Sequence, residues 1–231
     1  MQNPIKKPWE RFKAHLTAYP QIATAFEAYK QFINENYPKW PHTAANPAEW
    51  VKIALSNFMH GAFRATEPTE IITTWGQLRL RTANIDDYDF INQAERHADC
   101  TPWVNNWPLG TRIEKFGDNN FFQTIIETQE GRAVGFIDFR DMLHDAQVEL
   151  KRIVIAERGK GYGKEAMYLS QKFAFEVLGR TRLYLGTKPE NVRARHVYHA
   201  TGFSLVNPDN VASFHIMKEA YEEMCRGTVQ N

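Results

Sequence analysis

Residues 156–164 of the chain read AERGKGYGK, three glycines alternating with longer side chains. The stretch joins residues 148–155, VELKRIVI, to residues 164–179, KEAMYLSQKFAFEVLG. The first flank has the apolar content of a strand. The second sets Ala166, Leu169, Phe173 and Val177 on one helical face, with Gly179 as a stop signal. A strand that runs through successive glycines into a helix aims several backbone N–H groups at one point. The helix N-terminus adds partial positive charge there, and glycine lets an anion approach without a Cβ in the way. The turn therefore predicts a phosphate or pyrophosphate ligand, with Arg158, Lys160 and Lys164 as cations beside it.

Neither familiar nucleotide loop fits. A Walker A loop needs four residues between its glycines, whereas three separate Gly159 from Gly163, and Glu165 stands where a Mg²⁺-binding hydroxyl belongs. A dinucleotide fingerprint needs GxGxxG, and here the third glycine, Gly163, comes one position early.

Outward from the turn, the periodicity changes near residue 70. Before it, three apolar stripes read as helices: Trp9, Phe12 and Leu16; Ile22, Phe26, Tyr29 and Ile33; Val51, Leu55, Phe58 and Ala62. Asn46 is placed as the N-cap of the third, with Pro47 at its first position, and the proline-bearing stretch before them reads as a loop. Residues 64–70 read as a linker. Beyond them come a strand at GQLRLRTA (76–83), a helix capped by Asn84, and a hairpin turning at 129–132. Then follow the strand and helix around the glycine turn, a strand at RLYLGT (182–187), a helix, and a last pairing strand at 213–220. The order predicts an α+β domain, residues 71–231, with an all-helical N-terminal extension, residues 1–70.

The 231 residues suffice for a domain with an appendage, and 28 Lys and Arg against 27 Asp and Glu leave no global field pointing to nucleic acid. Cys100 and Cys225 lie far apart and form no CxxC pattern, so no metal is expected. The segment MQNPIKKPWERF carries no apolar signal core, and no apolar run approaches the ~18 residues of a membrane span. A cytoplasmic protein without a membrane partner is expected.

Arg158, Gly161 and Gly163 form Arg-x-x-Gly-x-Gly, and downstream NVRARHVYHATGF supplies Asn191, Ala194, Tyr198, Gly202 and Phe203. In these two blocks, and over residues 77–218, the chain resembles the GNAT N-acetyltransferase superfamily. It looks most like the group of ribosomal-protein N-terminal and spermidine N-acetyltransferases. The resemblance implies a mixed, mainly antiparallel sheet of six to seven strands flanked by helices. It also implies acetyl-CoA as co-substrate, without a metal. The acetyl group would pass to a primary amine (a protein N-terminus, a polyamine or another small amine) by direct attack in a ternary complex.

Site residues follow from the same resemblance. Arg158, Gly159, Lys160, Gly161, Tyr162, Gly163 and Lys164 would hold the pyrophosphate, and Asn191 the pantetheine arm, or else serve as a plain helix cap. Backbone amides around Ile153, Val154 and Ile155 would face the thioester oxygen where their strand splays from its neighbour. Tyr198 would protonate the departing thiolate, a role suited to a phenol of pKa ~10; its other reading is core packing. Glu149 would take a proton from the amine, directly or through water, or else form a cross-strand salt bridge; Asp138 and Asp141 are further candidates. Strict alternation sets Leu150 and Arg152 on one side of the strand and Glu149, Lys151 and Ile153 on the other.

The acceptor is read from less. Asp86, Asp87, Asp89, Glu95 and Asp99 would suit a cationic amine, though first-turn acids also stabilise any helix. Trp103 and Trp107 either wall the acceptor cleft or anchor their loop. The N-terminal helices would lid the cleft, build a homodimer or bind another protein. The competing class is an acetyl-CoA sensor or scaffold whose extension binds a partner.

Overall fold

A computed structural model describes residues 6–36, 47–209 and 211–228. The chain forms two compact units: Met1–Pro68 with Trp107–Asp118, and Thr69–Asn106 with Asn119–Asn231. The boundary read near residue 70 is therefore one of three crossings, because a segment from inside the second half joins the helical unit.

That unit begins with α1 (Lys6–Ala18), α2 (Pro20–Asn36) and α3 (Pro47–Arg64). Asn46 and the loop before it lie outside the described residues. The three stripes face one another: Phe12, Ile22, Phe26, Ile33, Phe58 and Ala62 are buried. Phe26 meets Phe12 edge-on at 5.1 Å and lies 5.2 Å from Phe58. Trp9 is the exception and stays partly exposed.

The other unit opens with β1 (Ile71–Trp75), β2 (Leu78–Thr82) and α4 (Tyr88–Arg96). A single 3₁₀ turn, Ile85–Asp87, leads into α4, and Asn84 caps it as read: its side chain accepts from Asp86 N at 3.0 Å, and Asp87 accepts from Asn84 N at 2.9 Å. The chain then enters the helical unit as α5 (Leu109–Gly117). Here α3 and α5 cross at van der Waals distance of their backbones. A Cβ on Gly61 would lie 1.7 Å from the Ile113 carbonyl, and one on Gly117 1.8 Å from that of Asn57. Gly110 serves a second close approach, to α2, where a Cβ would lie 2.9 Å from Tyr29 Cβ.

Back in the sheet unit follow β3 (Phe121–Thr128), β4 (Ala133–Arg140), β5 (Gln147–Ile155), α6 (Tyr162–Lys172), β6 (Arg182–Thr187), α7 (Val192–Ala200), β7 (Ser204–Asn207), β8 (Ala212–Met217) and α8 (Lys218–Thr228). The sheet has eight strands in the order β1-β2-β3-β4-β5-β6-β8-β7. Among the described residues only the pair β5/β6 is parallel, with α6 as its crossover. It is a mixed, mainly antiparallel sheet, with β1 and the exposed β7 beyond the strands read from sequence.

The strand β5 carries a bulge. Leu150 pairs with Phe139 but Arg152 with Asp138, so Lys151 is an extra residue. Val148 and Leu150 join the core beneath α6, and Ile153 and Ile155 pack against that same core. Arg152 turns instead to the other face, to Glu95 of α4 at 2.5 Å and Asp138 at 3.9 Å. Strict alternation had placed Arg152 with Leu150; the bulge reverses it.

Candidate active site

The site begins where a strand pair comes apart. The parallel pairing of β5 with β6 runs from Gln147↔Arg182 to Leu150↔Leu185 and stops. Beyond it β5 follows β4 alone, with Ile153 opposite Ile137, Val154 opposite Phe136 and Ile155 opposite Gly135. From residue 151 on, the edge of β5 that faced β6 has no strand partner. A cavity of about 750 Å³ fills the gap. Ile153, Val154 and Ile155 line it.

The glycine turn closes one end. Gly159 and Gly161 hold left-handed backbone, φ +76° and +80°, and Gly161 is the residue that caps α6. A Cβ built on Gly159, Gly161 or Gly163 would meet no atom within 4 Å, so the space above all three is open. Lys164 N already bonds the Gly161 carbonyl at 3.0 Å, and the amides that precede it in the turn are the kind of helix-start donors that receive an anion. Arg158, Gly159, Gly161, Tyr162, Gly163 and Lys164 all line the cavity. Lys160 does not. It bonds Glu157 at 2.8 Å. Tyr162 reaches the cavity yet is buried in the core beneath α6.

Charge suits an anion. Six cations line the cavity (Lys151, Arg152, Arg158, Lys164, Lys188 and Arg193) against two acids, Asp99 and Glu190. Burial first, then the like charge of Arg193, pushes the Arg158 pKa down: crowded cations gain from a counter-anion. The glycine cradle and this cation ring fit the pyrophosphate end of acetyl-CoA.

At the other side α7 brings Tyr198 to the cavity. The ring is 6 % exposed and held edge-on by Phe214 at 5.4 Å. Burial pushes its hydroxyl pKa up to about 12, which keeps the proton on at neutral pH. Asn191 also lines the cavity while its Oδ1 accepts from Ala194 N at 3.2 Å. The cap uses the carbonyl oxygen, and the amide NH₂ is not spent in it.

Glu149 is not among the lining residues. It lies on the face opposite Leu150 with Arg140 Nε at 2.5 Å and Lys151 Nζ at 3.6 Å. Tyr184, its register partner on β6, donates to Asp141, and burial followed by that bond raises its pKa to about 12. Asp138 is buried beside Arg152. The acids of residues 84–99 divide in the same way. Asp87 takes both Nη atoms of Arg81, at 2.7 and 2.6 Å, and Glu95 takes Arg152. Asp99 alone of these acids lines the cavity. Trp103 lines it too, whereas Trp107 falls in the helical unit under the guanidinium of Arg112 at 5.5 Å. Arg193, which the sequence offers together with Arg195 either as a phosphate contact or as solvated charge, lines the wall, Arg195 does not, and Lys188 is a wall residue that spacing does not single out.

Residues 77–204 match the family described as the acetyltransferase (GNAT) domain, so the chain belongs to that family of acetyl-CoA-dependent N-acetyltransferases. Spermidine N(1)-acetyltransferase of Escherichia coli K12 is 25 % identical to it over 137 residues, covering 55 % of this chain and 73 % of that protein. Among solved structures, spermidine N-acetyltransferase from Vibrio cholerae, in complex with CoA and spermine, aligns with TM-score 0.55 at 20 % identity over 63 % of this chain and 98 % of the other. The aminoglycoside acetyltransferase AAC(6')-Ib, in complex with coenzyme A, aligns equally well, TM-score 0.55 at 17 % identity and the same coverage. At these identities the structures testify to the fold alone. Among the described residues, no three His, Cys, Asp or Glu side chains group as a metal site, and no helix is long and apolar enough to cross a membrane.

Proposed function

We propose that the chain acetylates a primary amine of a polyamine-like acceptor by direct attack on acetyl-CoA. The observation that carries the reading is the opening between β5 and β6 beyond Leu150. It brings the glycine cradle, a partnerless strand edge and Tyr198 to one cavity.

Acetyl-CoA supplies an activated acyl carbon. The cradle amides, Arg158 and Lys164 hold its pyrophosphate, and the Asn191 amide steadies the pantetheine arm. Amides of the β5 edge near Ile153 and Val154 donate to the thioester oxygen as it gains charge. The amine attacks the acyl carbon; the C–N bond forms and the C–S bond breaks. Tyr198 gives its proton to the departing sulfur, and the proton lost by the attacking amine goes to solvent or, through water, to Glu149. Because Glu149 is already paired with Arg140, its part is that of a relay end rather than a contact of the amine.

The polyamine acceptor draws support from relatives whose names include spermidine and spermine, and from the two acids and Trp103 in the cavity wall. The test is thiol release from acetyl-CoA across polyamines, monoamines, aminoglycosides and short peptides. Release fastest with polyamines is expected. Release with peptides alone would replace the acceptor by a protein N-terminus. Silence across the panel, with acetyl-CoA bound in calorimetry, would favour a sensor.

A further inference from the structure

Glu165 stands where a Walker loop would carry its hydroxyl, and the transfer chemistry makes no use of it. Its neighbour Lys164 lines the cavity, but Glu165 does not. The carboxylate turns instead to the tight turn between β1 and β2. Its Oε2 accepts from Gln77 N at 2.8 Å and its Oε1 from Gln77 Nε2 at 3.0 Å. The turn comes so close that a Cβ on Gly76, which has φ +55°, would lie 2.6 Å from Oε2. Further along the helix the grip continues. Tyr168 stacks on Trp75 with ring centroids 5.2 Å apart, and Lys172 Nζ donates to the Thr74 carbonyl at 3.2 Å. Residues 165, 168 and 172 share one face of α6, so β1 and its turn hold the helix along that face.

The glycine turn has need of such a hold. Gly159, Gly161 and Gly163 fall within five positions, and glycine loses more conformational freedom on ordering than any other residue. Gly161 caps α6 without a side chain to bond the helix start. Upstream, Ala156 N anchors the turn to the Val134 carbonyl at 2.8 Å. Downstream, two residues past Gly163, Glu165 anchors it to Gln77. An acid in a first helical turn also competes with a bound anion for the same positive helix end. Here two N–H donors of Gln77, which is not a cavity residue, receive the charge.

We propose that Glu165 is a positioning residue for the pyrophosphate. By gripping its carboxylate, the β1–β2 turn sets the first turn of α6, and with it the cradle amides, at the spacing the phosphates require. This rests on the reading of the glycine turn as the seat of the pyrophosphate.

The test compares acetyl-CoA with S-acetylpantetheine, which carries the same thioester without a pyrophosphate, by calorimetry on the full chain. Glu165→Ala weakens acetyl-CoA by about three- to tenfold, the net worth of one hydrogen bond, and leaves S-acetylpantetheine as in wild type. Glu165→Gln keeps an acceptor for Gln77 N and returns acetyl-CoA to within about twofold of wild type. Gly76→Ala, which displaces the carboxylate without altering α6, reproduces the pattern of Glu165→Ala; if it does not fold, the two Glu165 variants decide alone. Equal weakening of both thioesters would make Glu165 a residue of the fold only and overturn the proposal. So would unchanged affinity in Glu165→Ala. Tighter acetyl-CoA in both Glu165 variants would overturn it too, because the charge would then act by repelling the phosphates. A wild-type chain that binds S-acetylpantetheine as tightly as acetyl-CoA would instead sink the reading of the glycine turn itself.

Discussion

At the scale of single residues, Gly163 and Tyr198 separate folding from function. Gly163 has ordinary backbone and open space where a Cβ would stand. A Cβ there meets no atom within 4 Å, and within a first helical turn valine is a slightly better helix former than glycine. Gly163→Val is therefore expected to melt within a degree or two of wild type while weakening acetyl-CoA at least tenfold by calorimetry. An equal loss of both would mean that the glycine serves the fold. Tyr198→Phe is expected to lower kcat by about 10²-fold, the low end for a lost general acid, with acetyl-CoA affinity kept. The pH profile follows from burial. With its pKa at about 12, folded Tyr198 keeps its proton where an unfolded tyrosine, at ~10, has lost it. Its contribution to stability is complete below pH ~10 and disappears as pH rises towards 12. Activity should therefore climb with pH as the amine loses its proton, with no fall from Tyr198 below pH ~11. A descending limb near pH 8 in kcat would contradict this assignment.

Between elements, the bonds that matter are local and close. Arg81 lies between Asp87 at 2.6 Å and Glu127 at 2.5 Å, mostly buried. Asp87→Ala removes the partner of a largely buried guanidinium and half of the capping box together. A loss of about 3 kcal/mol in chemical denaturation is expected, against ~1 kcal/mol for Asn84→Ala, which takes only the cap. The α3/α5 crossing behaves differently, since backbone rather than charge sets it. At 1.7 Å from the Ile113 carbonyl a methyl on Gly61 has no room, so Gly61→Ala must push the two helices apart. Its cost should reach or exceed ~3 kcal/mol, the upper range of overpacking. A Gly61→Ala chain with wild-type melting would show that the helices can part freely.

At the scale of the whole molecule, the helical unit is not a removable leader. It takes Trp107–Asp118 out of the middle of the catalytic half, and within it Arg112 and Ile113 are buried. Deleting residues 1–68 would uncover the inner face of α5 while leaving it tethered between α4 and β3. Each large apolar side chain so exposed costs about 1.5–3 kcal/mol. The truncated chain is expected to aggregate or to melt well below the full one in calorimetry. A soluble, cooperatively melting truncation would restore the simple division near residue 70.

Much was legible beforehand because its causes are local. Helical stripes, a hairpin at Gly131, the Asn84 cap and the strand-to-glycine-to-helix turn all depend on neighbours within a few residues, so spacing alone determined them. The glycine turn is local, and the resemblance of NVRARHVYHATGF to the acetyltransferase family joined Tyr198 to Gly159, Gly161 and Gly163 as a set. What the sequence did not reveal depends on contacts distant in the chain. The short edge strands β1 and β7 exist through their pairing. A bulge at Lys151 sends Arg152 to Glu95, and α5 is a helix because α2 and α3 cover glycines that otherwise signal a break. The sequence shows a run of acids that the resemblance sets beside the acceptor, but only tertiary structure decided that Asp87, Glu95 and Asp99 each pair with an arginine and that Asp99 alone of these lines the cavity. Backbone preference acts over a few residues, whereas the partner of a charge is whatever side chain the completed fold sets beside it.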